Sequence, residues 1–418
     1  MKKYYFILAA AALGFASCSN DETIESAALS ESNEISFRAL NNGHTRAADQ
    51  SFTETSNGTS FKVAAFETGA ETNCYFRDKT FTSDGSYFKS SSPIYWPSTY
   101  NLDFYAFTPI DGATATLATT GASGSQIAQV TTDDLDIGYK KFTVIPSSVV
   151  ASQADLVFAN TDNWGKLTGS SGQKDGKNGV TINFRHAGAK IRVMVKNTNA
   201  NLKFDVSGWK VANVDGEAIY TYSGCTDGAT DTDTQNSKQL KIGDWSDNSN
   251  GQTIDYSVSF ATANVIPASE STAKYLDNNS TSSASATTTE SLNMILIPQS
   301  TSQATAYSAK TADAAITTGS YIALKLVAKN PTNNAVIADA TTDGKWAIWP
   351  VAFTWIPGKC YTYTVDLAGG GYWEANIDGG ESDNTDLDPI LEGAEIKFVT
   401  VSVDSWSDAD GVPVSGGI

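Results

Sequence analysis

The 418-residue chain holds two histidines, His44 and His186, and they bound its imidazole chemistry. A Ser–His–Asp relay needs one of them beside an activated serine. His44 lies in the polar stretch Asn41–Gln50. His186 lies in Phe184-Arg185-His186-Ala187, where inward and outward residues alternate and a structural hydrogen bond is the expected role. Gly121-Ala122-Ser123-Gly124 and Gly169-Ser170-Ser171-Gly172 have the wrong spacing for a nucleophile elbow, and no P-loop or dinucleotide fingerprint occurs. The acidic clusters Asp227–Asp233 and Asp378–Asp388 lack the glycine and glutamate spacing of an EF-hand. They read as solvated loops, with adventitious calcium as the alternative. Carboxylate pairs suited to glycoside hydrolysis abound, yet none stands apart. The expectation is a non-enzyme with no cofactor and no metal.

The four cysteines are Cys18, Cys74, Cys225 and Cys360, with no C-x-x-C pair for zinc. With Cys18 taken by lipid, as argued next, at most one disulfide can form among the rest. Aromatic residues remain as candidates for ligand contact, because an exposed indole offers a flat apolar face and a polar edge. Core packing is the expected role of Trp96, Trp164, Trp209, Trp346, Trp349, Trp355 and Trp406. Trp245 and Trp373 sit in polar loops and are the candidate contacts to a ligand or host surface. A monomeric glycan- or host-binding surface lipoprotein is therefore one functional reading.

Lys2 and Lys3 precede an apolar run, Tyr4 through Phe15, that ends in Ala16-Ser17-Cys18. The run is too short for the roughly 20 residues of a bilayer span and suits a signal-peptide core. Small residues before a cysteine are what lipoprotein processing requires, so residues 1–17 read as a lipoprotein signal peptide and Cys18 as the acylated residue. An ordinary signal peptide with an incidental cysteine is the alternative. Residues 18–33 lack apolar periodicity and read as a flexible tether. Asp21 and Glu22, just after the cysteine, resemble the surface-export signal of Bacteroidetes lipoproteins. The expected location is the outer face of the cell outer membrane, held by lipid alone. A formal charge of −18 argues against nucleic acid as a partner.

Short β-branched and aromatic runs alternate with Gly, Asn, Asp, Ser and Thr clusters along the chain. In Lys359–Leu367, Tyr361, Tyr363 and Val365 share one face while Thr362 and Thr364 take the other. More than about a dozen such runs predict an all-β protein of two tandem β-sandwich domains. Residues 34–165 are the predicted first domain, 166–179 a Gly/Ser/Lys-rich linker, 180–393 the second domain and 394–418 a C-terminal strand.

Several motifs, in order, resemble one family. They are Ile35-Ser36-Phe37-Arg38-Ala39, Thr45-Arg46-Ala47 and Phe61-Lys62-Val63-Ala64-Ala65-Phe66 near the start. Tyr95-Trp96-Pro97 with Leu102-Asp103-Phe104-Tyr105-Ala106-Phe107, and Asp155-Leu156-Val157-Phe158-Ala159, follow. Val180 through Lys190, Ile295-Leu296-Ile297-Pro298-Gln299 and Trp355-Ile356-Pro357-Gly358-Lys359-Cys360-Tyr361 complete the set. Together they resemble the fimbrillin-like lipoproteins of Bacteroidetes over nearly the whole chain.

That resemblance implies transthyretin-like sandwiches and a subunit or tip component of an adhesive surface pilus. It implies other fimbrillin subunits as partners and, beyond them, a host or bacterial surface glycan or protein. It also implies assembly by strand exchange. A cut between Arg46 and Ala47 would free residues 34–46 as a removable strand, with Ile35, Phe37 and Ala39 facing inward. A neighbour's C-terminal strand would then fill the groove, the candidates being Ile396, Phe398, Val399, Val401 and Val403. Ile396 and Phe398 share one face of that strand, and the three valines share the other. Burying four or five apolar side chains supplies on the order of 10 kcal/mol before costs. If the C-terminal strand stays with its own domain, the protein caps a tip instead of building a shaft.

Overall fold

The computed structural model describes residues 33–39, 60–110, 126–129, 141–150, 153, 155–166, 173–182, 184–221, 244–247, 253–276, 293–304, 319–338, 344–369, 372–373 and 399–405. The all-β expectation holds for these residues. In the first half lie β1 (Phe37–Ala39), β2 (Ser60–Glu67), β3 (Ala70–Ser83), β4 (Phe88–Ser90), β5 (Leu102–Ile110), β6 (Gln126–Gln129), β7 (Lys141–Ile145) and β8 (Asp155–Gly165). Next come β9 (Lys174–Asp175), β10 (Val180–Ile182), β11 (Arg185–His186), β12 (Ala189–Asn197), β13 (Lys203–Asp215), β14 (Ala218–Thr221), β15 (Asp244–Asp247) and β16 (Thr253–Ile266). The rest are β17 (Glu270–Tyr275), β18 (Met294–Leu296), β19 (Tyr321–Lys329), β20 (Val336–Ala338), β21 (Lys345–Pro350), β22 (Lys359–Asp366), β23 (Tyr372–Trp373) and β24 (Thr400–Ser405). No helix among the described residues is long and apolar enough to cross a membrane.

The first sheet runs β10-β1-β4-β3-β2-β5-β8-β11, with β9 beside β8. Its two ends, β10 and β11, belong to one continuous stretch, Val180 to His186, so the sheet wraps around its own core. Period-2 alternation serves two cores at once. Phe61, Val63 and Ala65 of β2 enter the enclosed core, and Ala64 and Phe66 enter a second one outside it. A small sheet, β15-β14-β7-β6, covers that outer face with Phe142, Val144 and Tyr220.

Two further sheets, β17-β12-β22-β24 with β18, and β16-β13-β19-β21-β23 with β20, enclose the largest core. The central pair β12 and β22 is parallel, from Lys190 opposite Cys360 to Lys196 opposite Asp366. Its Ile191, Val193, Tyr361 and Tyr363 face Phe204, Trp209, Ile322 and Leu324 across that core. A bulge between Val206 and Gly208 switches the inward set of β13 from even to odd residues. Glycine is needed there, because a Cβ would stand 2.5 Å from the Val258 carbonyl oxygen.

Two pairings join strands on either side of residues 166–179. Val180–Ile182 pair with β1 and Arg185–His186 with β8, which closes the ring of the first sheet. Val180, Ile182 and Phe184 are each at most 1% exposed within its core, which explains the attachment. Strands β14 and β15 likewise pair into a sheet with β7 of the preceding half.

Candidate functional site

The site is the slot that holds residues 33–39. Alternation in Ile35-Ser36-Phe37-Arg38 sends Ile35 and Phe37 inward, both fully buried, and leaves Arg38 exposed. Phe37 meets Phe61, Phe81 and Phe104 edge to face, with centroids 5.6, 4.7 and 5.1 Å away. Such T-shaped pairs gain from the ring quadrupole beyond their buried area.

Both rims of the slot are backbone edges. On one side β1 pairs parallel with β10, Phe37 opposite Val180, and the Val180 N–H donates to the Ser36 carbonyl at 2.7 Å. On the other side Phe37 lies antiparallel to Phe88 of β4. There the Ile35 N–H donates to the Ile94 carbonyl at 2.7 Å, and the Trp96 N–H donates to the Asn33 carbonyl at 3.0 Å. Withdrawing residues 33–39 would therefore leave two unpaired edges and an apolar floor, which is a template for another strand.

The rim carries charge as well. The Arg38 guanidinium sits 5.5 Å from the Tyr87 ring centre. The turn before β4 is held by Asp84, whose carboxylate accepts the Tyr87 N–H at 2.8 Å and the Ser86 N–H at 2.9 Å. These bonds, with Lys89 at 3.1 Å, pull the Asp84 pKa down to about 2.

The C-terminal strand is held differently. β24 pairs antiparallel with β22, Val401 opposite Tyr363 and Val403 opposite Tyr361. The tyrosines are buried, yet Val401 is 51% and Val403 47% exposed. Only Val399 packs against the core, and it is half-buried.

Other sequence-derived candidates fall elsewhere. Cys18, Arg46, Ala47, His44, Ile396 and Phe398 lie outside the described residues, as does the side chain of Ala39. Trp245 lies in β15, not in a loop. Its indole N–H donates to the Ala187 carbonyl at 2.8 Å and its ring packs 5.2 Å from Tyr220. Trp373 lies in β23, opposite Ala347. His186 is buried in β11. Among the described residues no three His, Cys, Asp or Glu side chains gather where they could hold a metal ion. The sequence reading missed the role of Val180–Ile182 as one rim of the slot; its V-x-I alternation marks a strand but not its partner.

A family model described as fimbrillin-like matches residues 45–382. The chain belongs to the fimbrillin-like family. No curated protein matches its sequence significantly. Among solved structures, a putative cell adhesion protein from Parabacteroides distasonis shares 11% identity at a TM-score of 0.38, covering 89% of this fimbrillin-like chain and 97% of that one. The tip fimbrial protein Mfa3 from Porphyromonas gingivalis, truncated at its C-terminus, shares 10% identity at a TM-score of 0.34, covering 89% and 98%. The fimbrial anchor protein Mfa2 from the same organism shares 8% identity at a TM-score of 0.28, covering 89% and 96%.

Proposed function

We propose that the chain is a structural subunit or tip component of an adhesive bacterial surface pilus, carried to the outer membrane as a lipoprotein acylated at Cys18. In this reading, cleavage after Arg46 releases residues 34–46 and opens the slot, and the C-terminal strand of a neighbouring fimbrillin subunit fills it. Two tandem transthyretin-like domains are the architecture this reading assumes.

The observation that carries it is a short strand inlaid in a slot whose walls other strands build. Three enclosing phenyl rings and two hydrogen-bonding rims receive a strand of three paired residues at the start of the described chain. Fimbrillin-like membership supplies the second support.

The test inserts a site-specific protease sequence between Arg46 and Ala47 of the chain lacking residues 1–17. Cutting should yield oligomers that resist SDS and form a ladder. A cut protein that stays monomeric, with residues 34–46 still bound, sinks the reading. Radiolabelled palmitate incorporation lost on Cys18→Ala checks the anchor separately.

A further inference from the structure

The loop between β4 and β5 contains Pro93-Ile94-Tyr95-Trp96-Pro97-Ser98-Thr99-Tyr100. We propose that Tyr95, with Tyr75 and Tyr100 beside it, is a stacking platform for a neutral saccharide. The inference goes beyond the strand-exchange reading and does not depend on it, since the platform belongs to the uncut chain.

Three observations carry it. The first is an aromatic ring in water with no packing role. Alternation turns Trp96 into the enclosed core, where its ring meets Phe104 edge to face at 5.8 Å, and sends Tyr95 outward. Tyr95 is 51% exposed, the most exposed aromatic side chain among the described residues. A pyranose has one face of C–H bonds and a rim of hydroxyls, which suits the flat apolar face and polar edge of a tyrosine.

The second is that the platform is built in advance. The backbone of Tyr95 bridges to Glu34, and its neighbours Ile94 and Trp96 are bonded to Ile35 and Asn33. The Tyr75 hydroxyl donates to the Tyr95 carbonyl oxygen at 2.6 Å, and the Tyr75 ring meets Tyr100 edge to face at 6.0 Å. Tyr75 reaches this place through a bulge in β3. Phe76 pairs with Ala65 and Cys74 with Phe66, which leaves Tyr75 as the extra residue. A bulge re-aims a side chain, here toward the loop. Tyr75, Ile94 and Tyr100 are all half-buried against the enclosed core, so binding orders little that is not already fixed.

The third is size and charge. Aromatic side chains measure about 150–250 Å² each, so three partly exposed rings offer roughly 200–300 Å². A stable protein interface needs about 800 Å² from each partner, whereas one or two sugar rings need far less. Residues 91–100 carry no charge, which favours a neutral ligand. Polar groups for its hydroxyls stand two residues from Tyr75, where the Asn73 amide donates to the Glu67 carboxylate at 2.9 Å.

The experiment uses the uncut chain from residue 18, biotinylated at its C-terminus and displayed on streptavidin for avidity. It is applied to an array of neutral hexose and N-acetylhexosamine glycans, with sialylated and sulfated glycans alongside. Neutral glycans should bind. Saturation-transfer NMR on the free chain then titrates methyl β-galactoside and triacetylchitotriose, and at least one should bind with a Kd of about 1 mM. Tyr95→Ala should weaken that binding at least about tenfold, while Tyr95→Phe keeps it within about threefold, because the ring face does the stacking. Ile337→Ala, an equally exposed apolar residue in β20, should leave it unchanged. An unaltered urea midpoint for Tyr95→Ala excludes unfolding as the cause. Binding to sialylated or sulfated glycans alone overturns the neutral-ligand assignment. An array with no bound neutral glycan, or binding that survives Tyr95→Ala or falls equally with Ile337→Ala, overturns the platform. None of these outcomes touches strand exchange, which needs the cut chain.

Discussion

β1 and β24 are both short strands, and the molecule treats them in opposite ways. β1 has a partner on each side, and Phe37 within it and Ile35 just before it have no exposure. Among the described residues β24 has one partner strand, and the four residues Thr400 to Val403 are all exposed. The same elementary pattern, alternating apolar residues, is read as an inlay at one end and as a hem at the other. What differs is the layer above. The enclosed core closes over β1, whereas the large core stops short of β24 although Val401 and Val403 share a face with Tyr363 and Tyr361. An inlay resists loss thermodynamically and leaves a shaped hole when removed. A hem detaches at little cost.

The sharpest way to break that comparison is to remove the side chain that makes β1 an inlay. Phe37→Ala in the uncut chain is expected to lower unfolding stability by about 3–5 kcal/mol, the range for fully buried phenylalanines. Urea denaturation followed by tryptophan fluorescence reads it. A loss under about 1 kcal/mol would mean that the rings collapse into the space and that the slot is not preformed. The rim offers a second probe. Gly179, just before β10, has φ 82° and ψ 147°, a region essentially confined to glycine. A Cβ there would also stand 3.0 Å from the Arg38 side chain and 3.2 Å from Tyr87. Gly179→Ala should cost about 1–3 kcal/mol and speed amide exchange at Ser36–Arg38 more than at β19.

Some of this was legible beforehand. Ile35-x-Phe37 announced a buried strand by period, and Tyr361, Tyr363 and Val365 did the same for β22. The ring closure at Val180–His186 was not legible, because a run of alternating apolar residues says that it is a strand and not whose edge it joins. Its partner Phe37 lies far back in the sequence. β3 escaped for a different reason. Ala70–Ser83 is mostly polar, and three register shifts against β2 break its alternation. Trp245 was read as a loop residue because Asp244, Ser246 and Asp247 surround it. In the strand Ser246 is exposed while the aromatic ring of Trp245 turns in, to Tyr220. The site was legible in its residue types and hidden in its rims, since a slot is made by edges that only the pairing reveals.

At the other end, the hem predicts indifference. Val401→Thr with Val403→Thr removes apolar surface that is already about half in water, so stability should move by less than about 1 kcal/mol. A larger loss in the same urea titration would show β24 to be a structural strand and would erase the contrast with β1.

The smallest effect belongs to the turn that carries β4, one rim of the slot. Asp84 is depressed to about 2 in the fold, below its ordinary value of 3.8, chiefly by the Tyr87 and Ser86 N–H groups. The sign follows directly. A carboxylate with a lowered folded pKa favours the fold above pH ~4, and that contribution fades as pH falls toward 2. Because the group is largely exposed, screening keeps the contribution under about 1 kcal/mol. Asp84→Asn should therefore lower the melting temperature slightly at pH 7 and leave it nearly unchanged at pH 2.5, where the wild-type carboxylate is itself partly protonated. The difference between the two proteins, plotted against pH, should shrink monotonically below pH 4. Were it instead constant down to pH 2.5, the turn would be held by its backbone shape alone, and the β4 rim would not depend on the Asp84 charge.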